Sequence, residues 1–339
     1  MDLFIPSALQ IEPRLKEVDF DFCEVMDLET DFAFISGSVV EGFGNSSSDV
    51  DIYVVSSKEV GFPDGKKTTY TNSEKGYYYE LNWYSQTWHK SVASQINNSL
   101  SEDFKYQRIP FSAIKYYYLC SIACPLINQS KYNDLMKAYK KGKALFALEQ
   151  YYGYLANKCY QAGIELSENH EIEQSYFWYN EAVNYMIDSV LASYGEGYPT
   201  EKFRFEKLRR SVGEAAELYK DARRLRYLGN YSLSEYILQS TSFLSMMNIN
   251  KYYSEDNSIH FKVSGSTTTI SLYHDYLILN AGNVYQLDEF TLSVLKLISE
   301  GYSSRKELLQ HITDRSSDTA QRLNQTLHQL QLEGIIEIA

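Results

Sequence analysis

Two aspartates one residue apart, Asp49 and Asp51, follow a loop of small residues that opens at Gly37-Ser38, a pattern suited to holding a cation against a phosphate. The stretch reads Ile35-Ser36-Gly37-Ser38-Val39-Val40-Glu41-Gly42-Phe43-Gly44-Asn45-Ser46-Ser47-Ser48-Asp49-Val50-Asp51-Ile52-Tyr53-Val54-Val55. In an extended strand residues two apart share a face, so Asp49 and Asp51 are expected to project together while Val50 and Ile52 enter the core. Neighbouring carboxylates repel, and a raised pKa or a bound cation relieves the repulsion. Magnesium suits the pair, because it takes hard oxygen ligands and keeps positions for water and phosphate. Gly37, Gly42 and Gly44 allow backbone N–H groups to approach a phosphate, and Ser38 adds a hydroxyl donor. The spacing therefore points to a nucleoside triphosphate.

The segment resembles the signature of the polymerase-β-type nucleotidyltransferase superfamily, Gly-Ser, a spacer, then Asp-hydrophobic-Asp-hydrophobic, matched by Gly37, Ser38, Asp49 and Asp51. Within it, the chain looks most like the small antibiotic-modifying, kanamycin-type and stand-alone members, over roughly residues 30–85. The resemblance implies a third carboxylate from a neighbouring strand, and Glu80 is the acid inside the strand-like run Tyr77–Trp83. It further implies two Mg2+ ions held by Asp49, Asp51 and Glu80, with ATP or another triphosphate as substrate and Gly37, Ser38, Gly42 and Gly44 near its phosphates. In kanamycin-type relatives a helical domain caps the nucleotide and supplies lysine to phosphate. The stretch Lys202, Arg204, Lys207, Arg209 and Arg210 is similar in outline, which nominates Lys202 and Lys207 for the nucleotide; the competing reading is a solvated helix face paired with Glu201 and Glu206. Glu149 is a candidate general base for the acceptor, against its reading as a surface acid. One departure stands out: after Val40, where many relatives carry a basic residue, the chain has Glu41, so phosphate charge must be balanced elsewhere.

The elements that would position these groups form an α+β chain. Residues 1–110 read as the catalytic domain, a mixed sheet with helices, with strands at Phe32–Ile35, Val50–Val55 and Tyr77–Trp83 and a turn-rich loop at Gly61–Lys67. Residues 111–250 read as a helical bundle that caps nucleotide or substrate, with helices at Lys141–Cys159, Glu171–Tyr194 and Thr200–Tyr227. Between the last two, Gly195-Glu196-Gly197-Tyr198-Pro199-Thr200 supplies a glycine stop and an N-cap threonine. After a polar linker at Asn248–Ser258, residues 259–339 read as three strands, Ile259–Val263, Thr268–Tyr273 and Tyr276–Asn280, then three helices, Leu287–Ser299, Ser304–Ile312 and Thr319–Glu333, and Ile335–Ile338.

That last pattern, with Asn283-Val284-Tyr285-Gln286-Leu287-Asp288-Glu289-Phe290 and Val294-Leu295-Lys296-Leu297-Ile298 at its centre, resembles the peptide-binding domains of the PqqD type. The resemblance implies a winged-helix-like β3-α3 module whose exposed sheet edge accepts a leader peptide as an extra strand, as in the biosynthesis of ribosomally made, modified peptides. A DNA-binding winged helix is the competing reading, but Thr319–Glu333 offers only Arg322 as a cation at neutral pH.

Composition limits the rest. At 339 residues the chain has room for two or three domains, and 44% apolar with 22% charged residues excludes wholesale disorder. The net charge of −12 opposes loose binding to a polyanion, so nucleic acid is not an expected partner. The absence of a long apolar run or a signal-like start reads as a cytoplasmic protein without a membrane. Cys23, Cys120, Cys124 and Cys159 lack zinc-site spacing and read as reduced, buried thiols. The 31 tyrosines, bunched at Tyr77–Tyr79, Tyr116–Tyr118 and Tyr151–Tyr152, read as packing surface before a stacking pocket. The expected activity is transfer of a nucleoside monophosphate, AMP from ATP, to a peptide or small natural-product acceptor. Two alternatives stay beside it: an antibiotic-type adenylyltransferase with a structural tail, and a degenerate nucleotide-binding partner or regulator. The sequence also leaves room for a homodimer.

Overall fold

Five strands make the sheet that carries the paired aspartates, in the order β3-β4-β2-β1-β5, with β1 Phe32–Ser36, β2 Val50–Ser56, β3 Lys66–Asn72, β4 Tyr78–Ser85 and β5 Cys124–Ile127. Only β2 and β4 run parallel, so the sheet is mixed and the fold is α+β. The computed structural model describes residues 6–17, 26–44, 48–58, 66–72, 78–99, 109–226, 231–252, 261–263, 267–272, 275–280, 283–312, 319, 322–323, 326–327, 330 and 335–338. The chain divides into two compact units, Met1–Tyr152 with Ile187–Lys220, and Gly153–Met186 with Asp221–Ala339. Helical residues 111–152 and 187–220 thus group with the sheet.

In the first unit, period-two alternation gives the sheet two different faces. One is aliphatic: Ala33, Ile35, Val50, Ile52, Val54 and Leu81 pack with Leu126 and with Ala8 and Leu15 of the N-terminal segment, which contains α1, Pro6–Ile11. The other is aromatic. Phe34 stacks on Tyr53 at 5.1 Å, and Tyr84 packs on Trp88 of α2, Gln86–Ser99, and on Tyr116 of α3, Phe111–Ser121. Trp88 is half-buried; the fully buried side chains of this face each contribute about 1.5–3 kcal/mol. Tyr116, Tyr117 and Tyr118 are all buried in this unit, so that triplet is packing surface. Tyr77 lies outside the described residues. After α3 come β5 and α4, Gln129–Met136.

Three long helical patterns are expected downstream, and two are continuous: α5, Lys141–Glu168, and α6, Ile172–Ser193. Gly195 stops α6, with Gly195 N–H on the Ala192 carbonyl and Glu196 N–H on that of Leu191. The third is broken. A short 3-10 turn, Glu201–Phe203, leads into α7, Arg204–Val212, and the chain restarts as α8, Glu217–Arg226. The break falls at Gly213, whose φ of 81° lies in the left-handed region where a helix cannot continue.

In the second unit, α9, Leu233–Met246, begins with a capping box between Ser232 and Glu235. The glycines inside α5 find their reason here: a Cβ at Gly153 would strike the Tyr252 ring, and one at Gly163 the Tyr179 ring. Five short strands follow: β6 Phe261–Val263, β7 Thr267–Leu272, β8 Asp275–Asn280, β9 Asn283–Leu287 and β10 Ile336–Ile338. The three-stranded antiparallel sheet is β7-β8-β9, while the strand expected first, β6, pairs instead with β10. Strand β9 went unread because its alternation abuts the next helix. That helix, α10, Glu289–Ser299, is capped by Asp288, and α11, Arg305–His311, by a Ser304–Glu307 box. The described positions between 319 and 330 are helical.

Cys120, Cys124 and Cys159 are buried, and Cys23 lies outside the described residues. Among the described residues no helix is long and apolar enough to cross a membrane.

Candidate active site

Strand register assembles a polar row at one end of the aromatic face. Ser36 on β1 lies opposite Asp51 on β2, and Asp51 lies opposite Glu80 on β4. Because in-register partners share a face, Ser36, Asp51 and Glu80 form a line across three strands, followed by the row Phe34, Tyr53, Asn82. Asp51 and Glu80 are half-buried. Ser36 is buried and donates to the Leu119 carbonyl at 2.7 Å. Asp49 precedes the strand by one residue and is exposed. Burial pushes the Tyr53 phenol well up, and the nearby Asp51 and Glu80 charges add to that push.

The two halves of the sequence motif meet at Gly37. Its φ is 83°, and a Cβ there would run into the Asp51 carboxylate. Glycine is therefore required twice over, by backbone conformation and by the second aspartate. Among the described residues no three His, Cys, Asp or Glu side chains gather closely enough to hold a metal ion by themselves. Asp51 and Glu80, side by side in register, offer hard oxygen donors, a chemistry that fits Mg2+ only when water and phosphate supply the remaining positions.

The loop itself is tightly wound. Ser38 carbonyl accepts the N–H groups of Phe43 at 2.8 Å and Gly44 at 3.0 Å, Val39 carbonyl accepts that of Gly42 at 3.2 Å, and Gly37 carbonyl that of Glu41 at 3.2 Å. The amides of Gly42 and Gly44, expected to face phosphate, thus fold the loop onto itself. The amides of Ser38, Val39 and Val40 stand at the head of the turn.

The segment ahead of α7 docks on this loop. Phe43 stacks on Phe203 at 4.8 Å and 12°, and packs on Tyr198 at 6.0 Å. Burial pushes the Tyr198 phenol up, as does the charge of Asp51, while hydrogen bonds with the Thr200 and Ser38 side chains oppose the rise. Tyr198 thus packs against the loop through Phe43.

The basic stretch splits by position. Lys202 is exposed, with its ammonium 5.2 Å from the Phe203 ring centre. Lys207, nominated for phosphate, is instead buried, its ammonium donating to the Tyr198 carbonyl at 2.6 Å and lying 3.9 Å from Asp188. Arg204 makes a two-pronged bond to the same carboxylate, at 3.0 and 2.7 Å. Burial pushes the Lys207 ammonium pKa down, and the Asp188 charge opposes that. Lys207 therefore supports Tyr198 from beneath. Arg210 is the cation at the loop, bonded to Glu41 and Glu196. Glu149 sits half-buried on α5, where its carbonyl accepts from Ser189 at 2.8 Å.

Sequence reasoning missed Phe43, Tyr118, Asp188, Glu196 and Tyr198. Their signal is weak, since aromatic and acidic residues are common here and their partners lie far along the chain.

No family model matches this chain, and no curated protein does. Among solved structures, a crystal structure of a nucleotidyltransferase-like protein from Exiguobacterium sibiricum is similar over 72% of this chain and 74% of that chain, at 11% identity and a TM-score of 0.40.

Proposed function

We propose that the chain transfers a nucleoside monophosphate, AMP from ATP, to a hydroxyl or comparable nucleophile of a peptide or small natural-product acceptor, releasing pyrophosphate. The observation that carries this reading is the row Ser36-Asp51-Glu80, with Gly37 pressed against Asp51. That arrangement puts two carboxylates beside a Gly-Ser corner at the mouth of one sheet face. Asp49, Asp51 and Glu80 would hold Mg2+, which when bound polarises the phosphates and stabilises charge on the leaving pyrophosphate. The chain's own part is positioning. Ser38 and the amides at the head of the turn meet the phosphates, Tyr198 braces the loop through Phe43, and Lys202 supplies charge from the docked segment.

The acceptor reading is supported by the second unit, where β7-β8-β9 is a short antiparallel sheet with β7 and β9 at its edges. An edge strand offers unpaired backbone groups in a row, which is what a leader peptide needs to add itself as a strand.

The test is intact-mass spectrometry of candidate acceptors incubated with Mg2+ and each nucleoside triphosphate, comparing wild type with Asp49→Ala and Asp51→Ala. The expected outcome is a nucleotide-sized mass gain with wild type and a loss of at least 100-fold in rate with Asp51→Ala, since transition-state charge is then left unbalanced. A nucleotide adduct formed equally by both variants would falsify the assignment.

A further inference from the structure

Glu41 stands where the family resemblance implies a base, and its side chain is nearly out of solvent, at 9% exposure. A carboxylate so placed needs partners. Tyr118 of α3 donates its hydroxyl to Glu41 Oε1 at 2.6 Å. Arg210 of α7 faces Glu41 Oε2 at 3.5 Å and also donates through Nη1 to the Glu41 carbonyl at 2.9 Å. From the other side Glu196 holds the same guanidinium, accepting from Nε at 2.7 Å and from Nη2.

The guanidinium carbon also lies 4.3 Å from the centre of the Phe43 ring, the ring on which Phe203 stacks. The Tyr118 ring packs so closely on Gly197 that a Cβ there would collide with it. Burial pushes the Tyr118 phenol far up, as does the adjacent Glu41 charge, so this hydroxyl is a donor at any working pH. One acidic side chain in the loop thus joins α3 to the segment Glu196–Arg210.

We propose that Glu41 is a positioning residue which, through Arg210 and Tyr118, clamps the Gly37–Gly44 loop in the shape that grips a triphosphate. The proposal rests on the nucleotidyl-transfer reading above. It gives the acid at position 41 a role that a base there could not fill. A lysine or arginine at 41 would repel Arg210 and leave Glu196 as its only carboxylate. The loop meets phosphates through the Gly-Ser corner, so loosening it weakens binding in proportion to the phosphates gripped. A general loss of fold weakens all ligands alike.

The experiment is calorimetric titration of the full chain with Mg2+ and each of the four nucleoside triphosphates, followed by the di- and monophosphates of the tightest binder. Glu41→Gln keeps an acceptor for Tyr118 but removes the charge facing Arg210; Arg210→Gln removes the other half. Each is expected to weaken the triphosphate roughly ten-fold, the scale of one charge-assisted bond. The penalty should shrink from tri- to di- to monophosphate, and the double variant should bind no worse than the weaker single, because the two residues act as one unit. Tyr118→Phe, which removes only the hydroxyl, should give a smaller loss of the same graded kind. Equal penalties across the phosphate series, an unaffected Glu41→Gln, or simple addition in the double variant each overturn the clamp. A wild-type chain that binds none of the four triphosphates overturns the nucleotidyl-transfer reading itself, whereas wild-type binding that survives Glu41→Gln overturns the clamp alone.

Discussion

Asp51 and Glu80 are placed by strand register, yet Asp49 stands one residue outside β2 and is exposed, so the proposed metal site would be an open one. An open set of acids binds a hard cation weakly alone and firmly once phosphate oxygens fill the remaining positions. Mg2+ and nucleotide are therefore expected to stabilise the protein together and not singly. In a thermal melt, millimolar Mg2+ alone should leave the midpoint within about 1 °C. Mg2+ with nucleotide at a hundred times its Kd should contribute about 2.7 kcal/mol, a shift of a few degrees for a chain of this size. Chelation with EDTA should abolish that shift and leave the starting midpoint unchanged. A large shift from Mg2+ alone would mean a closed protein-only metal site and sink this account.

At the scale of elements, α6 and α7 are joined by Asp188, Arg204 and Lys207, three charged side chains each no more than 6% exposed. The cluster fixes the carbonyl of Tyr198, whose ring packs on Phe43 of the loop. Removing the shared anion takes from two buried cations their nearest counter-charge, which costs about 3–5 kcal/mol. Asp188→Asn should therefore unfold at markedly lower urea, while Lys207→Met, which leaves the Asp188–Arg204 pair intact, should lose clearly less. The reverse order would show that Lys207, not Asp188, organises the cluster. Sequence alone did not reveal this trio, because Lys207 and Arg204 look like a solvated basic face until Asp188, a turn and a loop upstream, is seen beneath them. The strands that carry Asp51 and Glu80 were legible, since a period-two pattern and a Gly-Ser turn are local signals, whereas Asp49, expected on β2, lies just outside it. Strand β3, the break at Gly213 and the pairing of β6 with β10 were not. The first is polar, the second is one glycine in an otherwise helical pattern, and the third joins segments over seventy residues apart.

Over the whole molecule, the charge of −12 weighs on the choice between peptide and duplex for the last eighty residues. A duplex binder neutralises several phosphates with unpaired cations, each adding to the salt dependence. Arg322, the cation expected on the helix that would enter a groove, is held by Asp288 at 2.8 Å and lies over the Phe290 ring at 4.4 Å. A peptide adding to an edge strand asks for none of this, because its affinity comes from backbone hydrogen bonds and side-chain pockets. With the full chain at about 0.15 M salt, labelled duplexes should show no saturable binding. Peptides that become nucleotidylated in the mass assay should bind and slow amide hydrogen exchange in β7 or β9. Saturable, sequence-dependent duplex binding, or peptide binding that leaves exchange in both edge strands unchanged, would remove β-strand addition as the way this chain recruits its acceptor.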